Sequence, residues 1–94
     1  MTREQILKQI KSQYAEVEKA TSATVFCDSL LDFERSLGKI PFCAVFRPGP
    51  NGQNPLGTLV RKLSGERTFV RNGWHSVAQA KDAISSLGQK LNLL

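Results

Sequence analysis

A stretch rich in proline and glycine constrains the fold of this chain more than any other feature. RPGPNGQNP, residues 47–55, contains three prolines and two glycines. Proline cannot donate a backbone hydrogen bond and glycine is flexible, so neither a continuous helix nor a central strand is expected there. The stretch predicts a long exposed loop, with separate secondary structure on either side.

The residues near the amino terminus follow a helical pattern. Thr2 and Gln5 have the spacing of a capping box, which marks the start of a helix. Apolar side chains then recur at intervals of three and four residues: Ile6, Ile10, Tyr14 and Val17. The pattern predicts a helix over about 3–19, whose apolar stripe must be buried in the same domain or against a second copy of the chain.

A second helix is predicted over about 28–37. Asp28 can act as its N-cap, and Gly38 can end it. Its apolar surface would come from four residues: Leu30, Leu31, Phe33 and Leu37.

The pattern then becomes typical of strands. The apolar run 41–46 has strand length, and the segments 58–63 and 67–71 contain β-branched or aromatic residues. Ser64 and Gly65, between the last two segments, predict a tight turn. Three strands are therefore expected.

The last segment has the clearest helical signals. Ser76 and Gln79 form a second capping box, and a stripe of apolar residues follows: Val77, Ala80, Ile84, Leu87 and Leu91. Taken together, the segments predict an α+β fold in one domain, residues 1–94. Its architecture would be a two-layer sandwich, with a three-stranded antiparallel sheet and helices on one face, in the order α-α-β-β-β-α.

Composition and charge limit the range of functions that the chain can have. The net charge is +5, and it is uneven: residues 1–37 carry five basic and six acidic side chains, whereas residues 38–94 carry eight basic and two acidic ones. Such a basic half favours a polyanion or an acidic protein surface as partner, although a merely solvated face is the alternative. No apolar run is long enough to span a membrane.

The reactive residues are few. Cys27 and Cys43 lie in apolar segments without CxxC spacing, which favours buried thiols of a reducing, cytoplasmic compartment over a disulfide. Two separated cysteines and a single histidine are too few ligands for a zinc site. No paired acid–base residues, nucleotide-binding loop or cofactor motif is present, so we expect no catalytic residue, metal or cofactor.

The chain resembles the double-stranded-RNA-binding domain over residues of about 28–92. Three similarities carry the resemblance: Leu30, Leu31 and Glu34 on the helix before Pro41-Phe42, Gly49-Pro50 at the start of the loop, and the segment Ser76-Val-Ala-Gln-Ala80-Lys81-Asp-Ala83. The resemblance implies an α-β-β-β-α core that binds double-stranded RNA, with residues 1–20 as an additional helix. It also implies that Glu34 reaches a 2′-hydroxyl and that Gln53 or Asn54 contacts RNA from the loop. Val77 and Ala78 stand where the family has two phosphate-binding lysines, and only Lys81 of the basic trio remains.

The basic residues around the predicted junction of the last strand and helix are the leading site candidates. They would contact phosphates, and Trp74 would stack on a base unless it only covers the core edge. The candidates are Arg47, Arg61, Arg67, Arg71, Trp74, His75 and Lys81.

Two functions follow. The first is a small non-enzymatic module that binds nucleic acid, with RNA as the expected ligand. The alternative is a protein-interaction module, such as an adaptor, a dimerising subunit or a phage-type inhibitor of a host complex. In that alternative the partner surface would be the stripe of the first helix: Ile6, Ile10, Tyr14 and Val17.

Overall fold

Four helices make up the regular structure of residues 2–40 and 55–94. A computed structural model describes residues 2–40 and 55–94, and within those ranges it contains helices and no strand. The helices are α1 (Arg3–Glu18), α2 (Ala23–Gly38), α3 (Pro55–Arg71) and α4 (Val77–Lys90). The predicted α+β sandwich with a three-stranded sheet is therefore wrong, as is the β-sheet order that the RNA-binding-domain resemblance implies. The expected strand at 41–46 lies outside the described residues.

Both predicted capping boxes are confirmed. The backbone N–H of Gln5 donates to the Thr2 hydroxyl at 3.2 Å, and the Gln5 side-chain oxygen accepts from the backbone of Thr2 at 2.8 Å. At α4 the two equivalent bonds between Ser76 and Gln79 are 3.1 and 2.9 Å long. Each box satisfies backbone donors that the helix itself leaves unpaired, so these starts follow from local sequence.

Helix α2 begins five residues before the predicted position. Its N-cap is Ser22, whose hydroxyl accepts from the backbone N–H of Val25 at 3.2 Å, and Asp28 lies inside the helix. Phe26 on the added turn is fully buried. Burial of that ring stabilises a turn whose β-branched residues have low helix propensity.

Helix α3 replaces the second and third predicted strands and the Ser64–Gly65 turn between them. Its buried positions are spaced three, four, three and four apart, which is one helical stripe. They are Leu56, Leu59, Leu63, Glu66 and Val70. Pro55, expected in the loop, occupies the first position of the helix, where its missing N–H has no cost.

All four helices contribute to one core, and α2 packs most extensively on α3. The α1 stripe is buried within this domain: Ile6, Ile10 and Val17 are at most 1% exposed, and Tyr14 is 6% exposed. Of the two alternatives for this stripe, the structure shows burial in the chain's own core. The four side chains proposed to bind a partner are therefore already covered in the monomer.

Candidate functional site

The connection between α3 and α4 is a Schellman turn. Gly73 has a φ of 75°, its N–H donates to the Val70 carbonyl at 3.1 Å, and the N–H of Trp74 donates to the Phe69 carbonyl at 2.8 Å. This is the double hydrogen-bond pattern with which many helices end, and it favours glycine because φ is positive. The Trp74 and Phe69 rings make the apolar contact typical of the motif, with centroids 5.9 Å apart.

His75 is bound to a buried carboxylate. Its Nδ1 lies 2.6 Å from Oε2 of Glu66, whose side chain is 1% exposed, and Nζ of Lys62 lies 3.1 Å from Oε1. The Lys62 contact meets the distance for an ion pair without hydrogen-bond geometry, so it is mainly a charge–charge interaction. His75 and Lys62 are thus engaged with an acid in the core, which makes both less available to an outside ligand.

Arg67 and Glu34, both predicted to contact RNA, bind each other. Nε of Arg67 donates to Oε2 of Glu34 at 2.9 Å, and both side chains are largely buried, with exposures of 19% and 12%. The pair joins α3 to α2. A phosphate would have to compete with a charge-assisted hydrogen bond that is already formed.

Lys81 also has a structural role. Its Nζ donates to the backbone carbonyls of Glu18 and Ala20, both at 2.7 Å, at the carboxyl end of α1. A cation there is favourable because it satisfies free carbonyl groups and the negative end of the helix dipole. The hydroxyl of Tyr14 donates to the backbone carbonyl of Lys81 at 3.0 Å, so two contacts tie α4 to α1.

Tyr14 has a perturbed acidity. Burial, together with the negative charge of Glu18, raises the pKa of Tyr14 from 10.0 to about 12. Burial disfavours the phenolate, so the ring stays neutral and remains a donor over the ordinary pH range.

Three predicted residues remain open to solvent: Arg61, Arg71 and Trp74. Arg47, Gln53 and Asn54 lie outside the described residues. Helix geometry places Arg61 and Arg71 around a solvent-facing surface of α3, opposite the buried stripe. We call this surface the α3 outer face; it comprises Arg61, Ser64, Gly65, Thr68 and Arg71.

The α3 outer face carries no acid. Helix α3 has four basic residues and one acidic residue, and that acid, Glu66, belongs to the buried stripe. An added Cβ at Gly65 would meet nothing within 4 Å, so the middle of the face is open to close approach. Ser64, Gly65 and Thr68 were not among the predicted site residues, although the three–four spacing of the α3 stripe places them together on the opposite face.

A cleft lies beside this face, between the start of α2 and the end of α3. Its volume is about 320 Å³. The lining combines apolar side chains with charged ones on the rim: Ala23, Thr24, Cys27, Asp28, Leu31, Arg67, Val70 and Arg71. Cys27 is free and half-buried rather than fully buried, and its Sγ lies 3.7 Å from the Arg67 carbonyl. Cys43 lies outside the described residues.

The described residues contain neither a metal-binding cluster nor a membrane-spanning helix. Within residues 2–40 and 55–94, no group of three or more His, Cys, Asp or Glu side chains is arranged to hold a metal ion. In those same ranges no helix combines the length and apolar character that a bilayer crossing requires. Comparison of the chain with protein-family models, with curated proteins and with solved structures finds no match.

Proposed function

We propose that the protein is a small non-enzymatic module that binds nucleic acid through the α3 outer face. The observation that supports the proposal is the separation of charge on α3. Its one carboxylate is buried and paired, while Arg61 and Arg71 point away from the core. Phosphates approaching this face meet cations and small polar residues on α3 and are not repelled by an acid of that helix.

The dimensions of the face suit a phosphate backbone. Arg61 and Arg71 are ten residues apart, which corresponds to about 15 Å along the helix axis. Nucleotides of one strand rise by about 3.4 Å each in a duplex, so the helix positions of the two arginines are separated by the rise of about four nucleotides. Between them, the small residues Ser64, Gly65 and Thr68 allow a backbone to lie close to the helix.

This interface differs from the one predicted from sequence. Arg67, His75 and Lys81 were expected to carry it, but each is already bound to a carboxylate or to backbone carbonyls. Arg71 belongs both to the interface predicted from sequence and to the α3 outer face. Phosphate contacts position a nucleic acid without reading its sequence, so this site predicts weak base preference.

Fluorescence anisotropy of a labelled oligonucleotide, measured from low to moderate salt, tests the proposal. Affinity should fall as salt rises, and the double substitution Arg61→Ala/Arg71→Ala should lower the slope of log K against log salt by about 1.4 to 1.8. The matched control is Lys8→Ala/Lys11→Ala, which removes the same charge from exposed positions of α1.

Two results contradict the proposal. One is the absence of binding at micromolar protein in low salt. The other is an equal loss of affinity in both double variants, because that would show attraction by net charge alone and no defined site. Asp28→Asn provides a third comparison: Asp28 lies across the cleft from Arg71, so its neutralisation should strengthen binding.

The cleft between α2 and α3 favours a second candidate function, a protein-interaction module. Leu31 and Val70 supply apolar surface there, and Arg71 supplies a charge that an acidic segment of a partner would complement. Leu31→Asp should abolish capture of such a partner and leave oligonucleotide binding intact. Capture that survives this substitution would contradict the second candidate.

A further inference from the structure

The one tryptophan of the chain projects from the end of α3. Its backbone is fixed by the Schellman turn, and one part of its ring rests on Phe69. Even so, Trp74 is 67% exposed, the largest exposed apolar side chain in the described residues. The turn accounts for the contact with Phe69 but leaves most of the indole surface in water.

The ring is supported from behind. Phe69 lies between two aromatic neighbours, with centroid distances of 5.9 Å to Trp74 and 4.8 Å to His75. His75 is in turn held by the buried carboxylate of Glu66. These contacts restrict the orientation of the indole before any ligand arrives, which lowers the entropic cost of binding to its open side.

The exposed ring lies just beyond the carboxyl end of α3. Arg71, the last residue of α3, precedes Trp74 by three positions, so a cation and an aromatic surface lie at the same end of the helix. Cations that hold a phosphate backbone beside an aromatic ring that stacks on a base are the combination with which proteins bind single strands.

We infer that the ligand is a single-stranded nucleic acid, with one unpaired base stacked on the open side of Trp74; this inference rests on the proposed function. Bases in a duplex are paired and stacked on each other, so they cannot cover the indole without being extruded. The face of Trp74 therefore selects single strands, while Arg61 and Arg71 supply attraction common to all nucleic acids.

Tryptophan fluorescence reports this contact directly, because Trp74 is the only tryptophan of the chain. A single-stranded oligonucleotide of about ten nucleotides should quench the emission, whereas a duplex of the same length and inorganic polyphosphate should leave it nearly unchanged. Measured by anisotropy, Trp74→Ala should weaken single-strand affinity about 5- to 150-fold, the range for loss of one base–aromatic stack. Trp74→Phe should retain most of the single-strand affinity.

Val25→Ala is the matched control, because Val25 is the other exposed large apolar residue and lies on α2. It should leave affinity unchanged, and circular dichroism should show that each variant keeps its helices. Salt-dependent binding without quenching, or with equal affinity of Trp74→Ala and the unsubstituted protein, would overturn the stacking inference and leave the proposed function standing. Tighter binding of duplex than of single strand would overturn it as well. Absence of binding to any nucleic acid would overturn both.

Discussion

Replacing Glu66 should cost less stability than replacing the two residues that pair with its carboxylate. Its carboxylate is 1% exposed, but the side chains of its two partners, Lys62 and His75, are 35% and 36% exposed. If Glu66 is replaced, both partners can be hydrated. If the partners are replaced, the carboxylate is left unpaired in the core.

The magnitudes follow from this asymmetry. Glu66→Gln loses charge-assisted contacts whose partners regain water, so we expect a loss of about 1–2 kcal/mol in the free energy of unfolding. Glu66→Leu restores an apolar residue to the buried stripe and should be neutral or stabilising, as for other buried ion pairs replaced by apolar residues. Lys62→Met combined with His75→Phe should cost about 3–5 kcal/mol, because it leaves the buried charge uncompensated.

Urea unfolding followed by circular dichroism at pH 7 measures all three variants. The expected losses of the double variant and Glu66→Gln differ by about 1–4 kcal/mol, and a small domain has a urea dependence of about 1–3 kcal/mol per molar. The double variant should therefore unfold at least about 0.3 M urea earlier than Glu66→Gln. Phenylalanine at position 75 keeps an aromatic ring near Phe69, so loss of that contact does not account for the difference. The reasoning is refuted if Glu66→Leu is the least stable variant, or if Glu66→Gln and the double variant lose equal stability.

The remaining predictions concern the backbone and the contact between α1 and α4. Gly65→Ala should raise the free energy of unfolding by about 0.5–1 kcal/mol, because Gly65 is inside a helix with open space around it; a loss measured by urea unfolding would instead indicate a turn. Gly73→Ala should lower it by about 1 kcal/mol, because φ there is 75°. Lys81→Met should cost about 1–2 kcal/mol by removing both carbonyl contacts at the end of α1, and a thermal melt unchanged from the unsubstituted protein would contradict that role. The pKa of Tyr14 is raised to about 12, so the stability it contributes is complete below about pH 10 and is lost as the pH rises towards 12; Tyr14→Phe should remove this part of the pH dependence in unfolding measured from pH 9 to 12.

Local sequence signals were sufficient to predict those helix ends that have clear capping residues. The starts of α1 and α4 follow from Thr2-x-x-Gln5 and Ser76-x-x-Gln79, because a capping box involves only residues three apart. The end of α2 was predicted to within one residue, since Gly38, expected just past the helix, is its last residue and Lys39 is the C-cap. The start of α2 was not predicted, since residues 24–27 have low helix propensity and this turn is stabilised by the burial of Phe26.

Helix α3 was predicted as two strands because one of its buried positions is an acidic residue. The stripe Leu56, Leu59, Leu63 and Val70 has spacings of three, four and seven, and a glutamate at position 66 interrupts its regular three–four repeat. A glutamate is rarely buried without partners, and one of its partners, His75, is nine residues away, beyond the end of the helix. Together with Ser64 and Gly65, which resemble a turn, the acid hid the helical period and made two short strands the simpler interpretation.

The sequence by itself determined the charge distribution, the two capped helices and the basic, acid-poor second half. The tertiary structure decided which of the predicted basic residues are paired within the part of the chain that it describes. Arg67, His75 and Lys81 look as available in the sequence as Arg61 and Arg71, but folding brings Glu34, Glu66 and the end of α1 against them. Glu34 and the end of α1 are distant along the chain, so periodicity and composition could not reveal their pairing. The candidate site is what remains exposed after those pairings form.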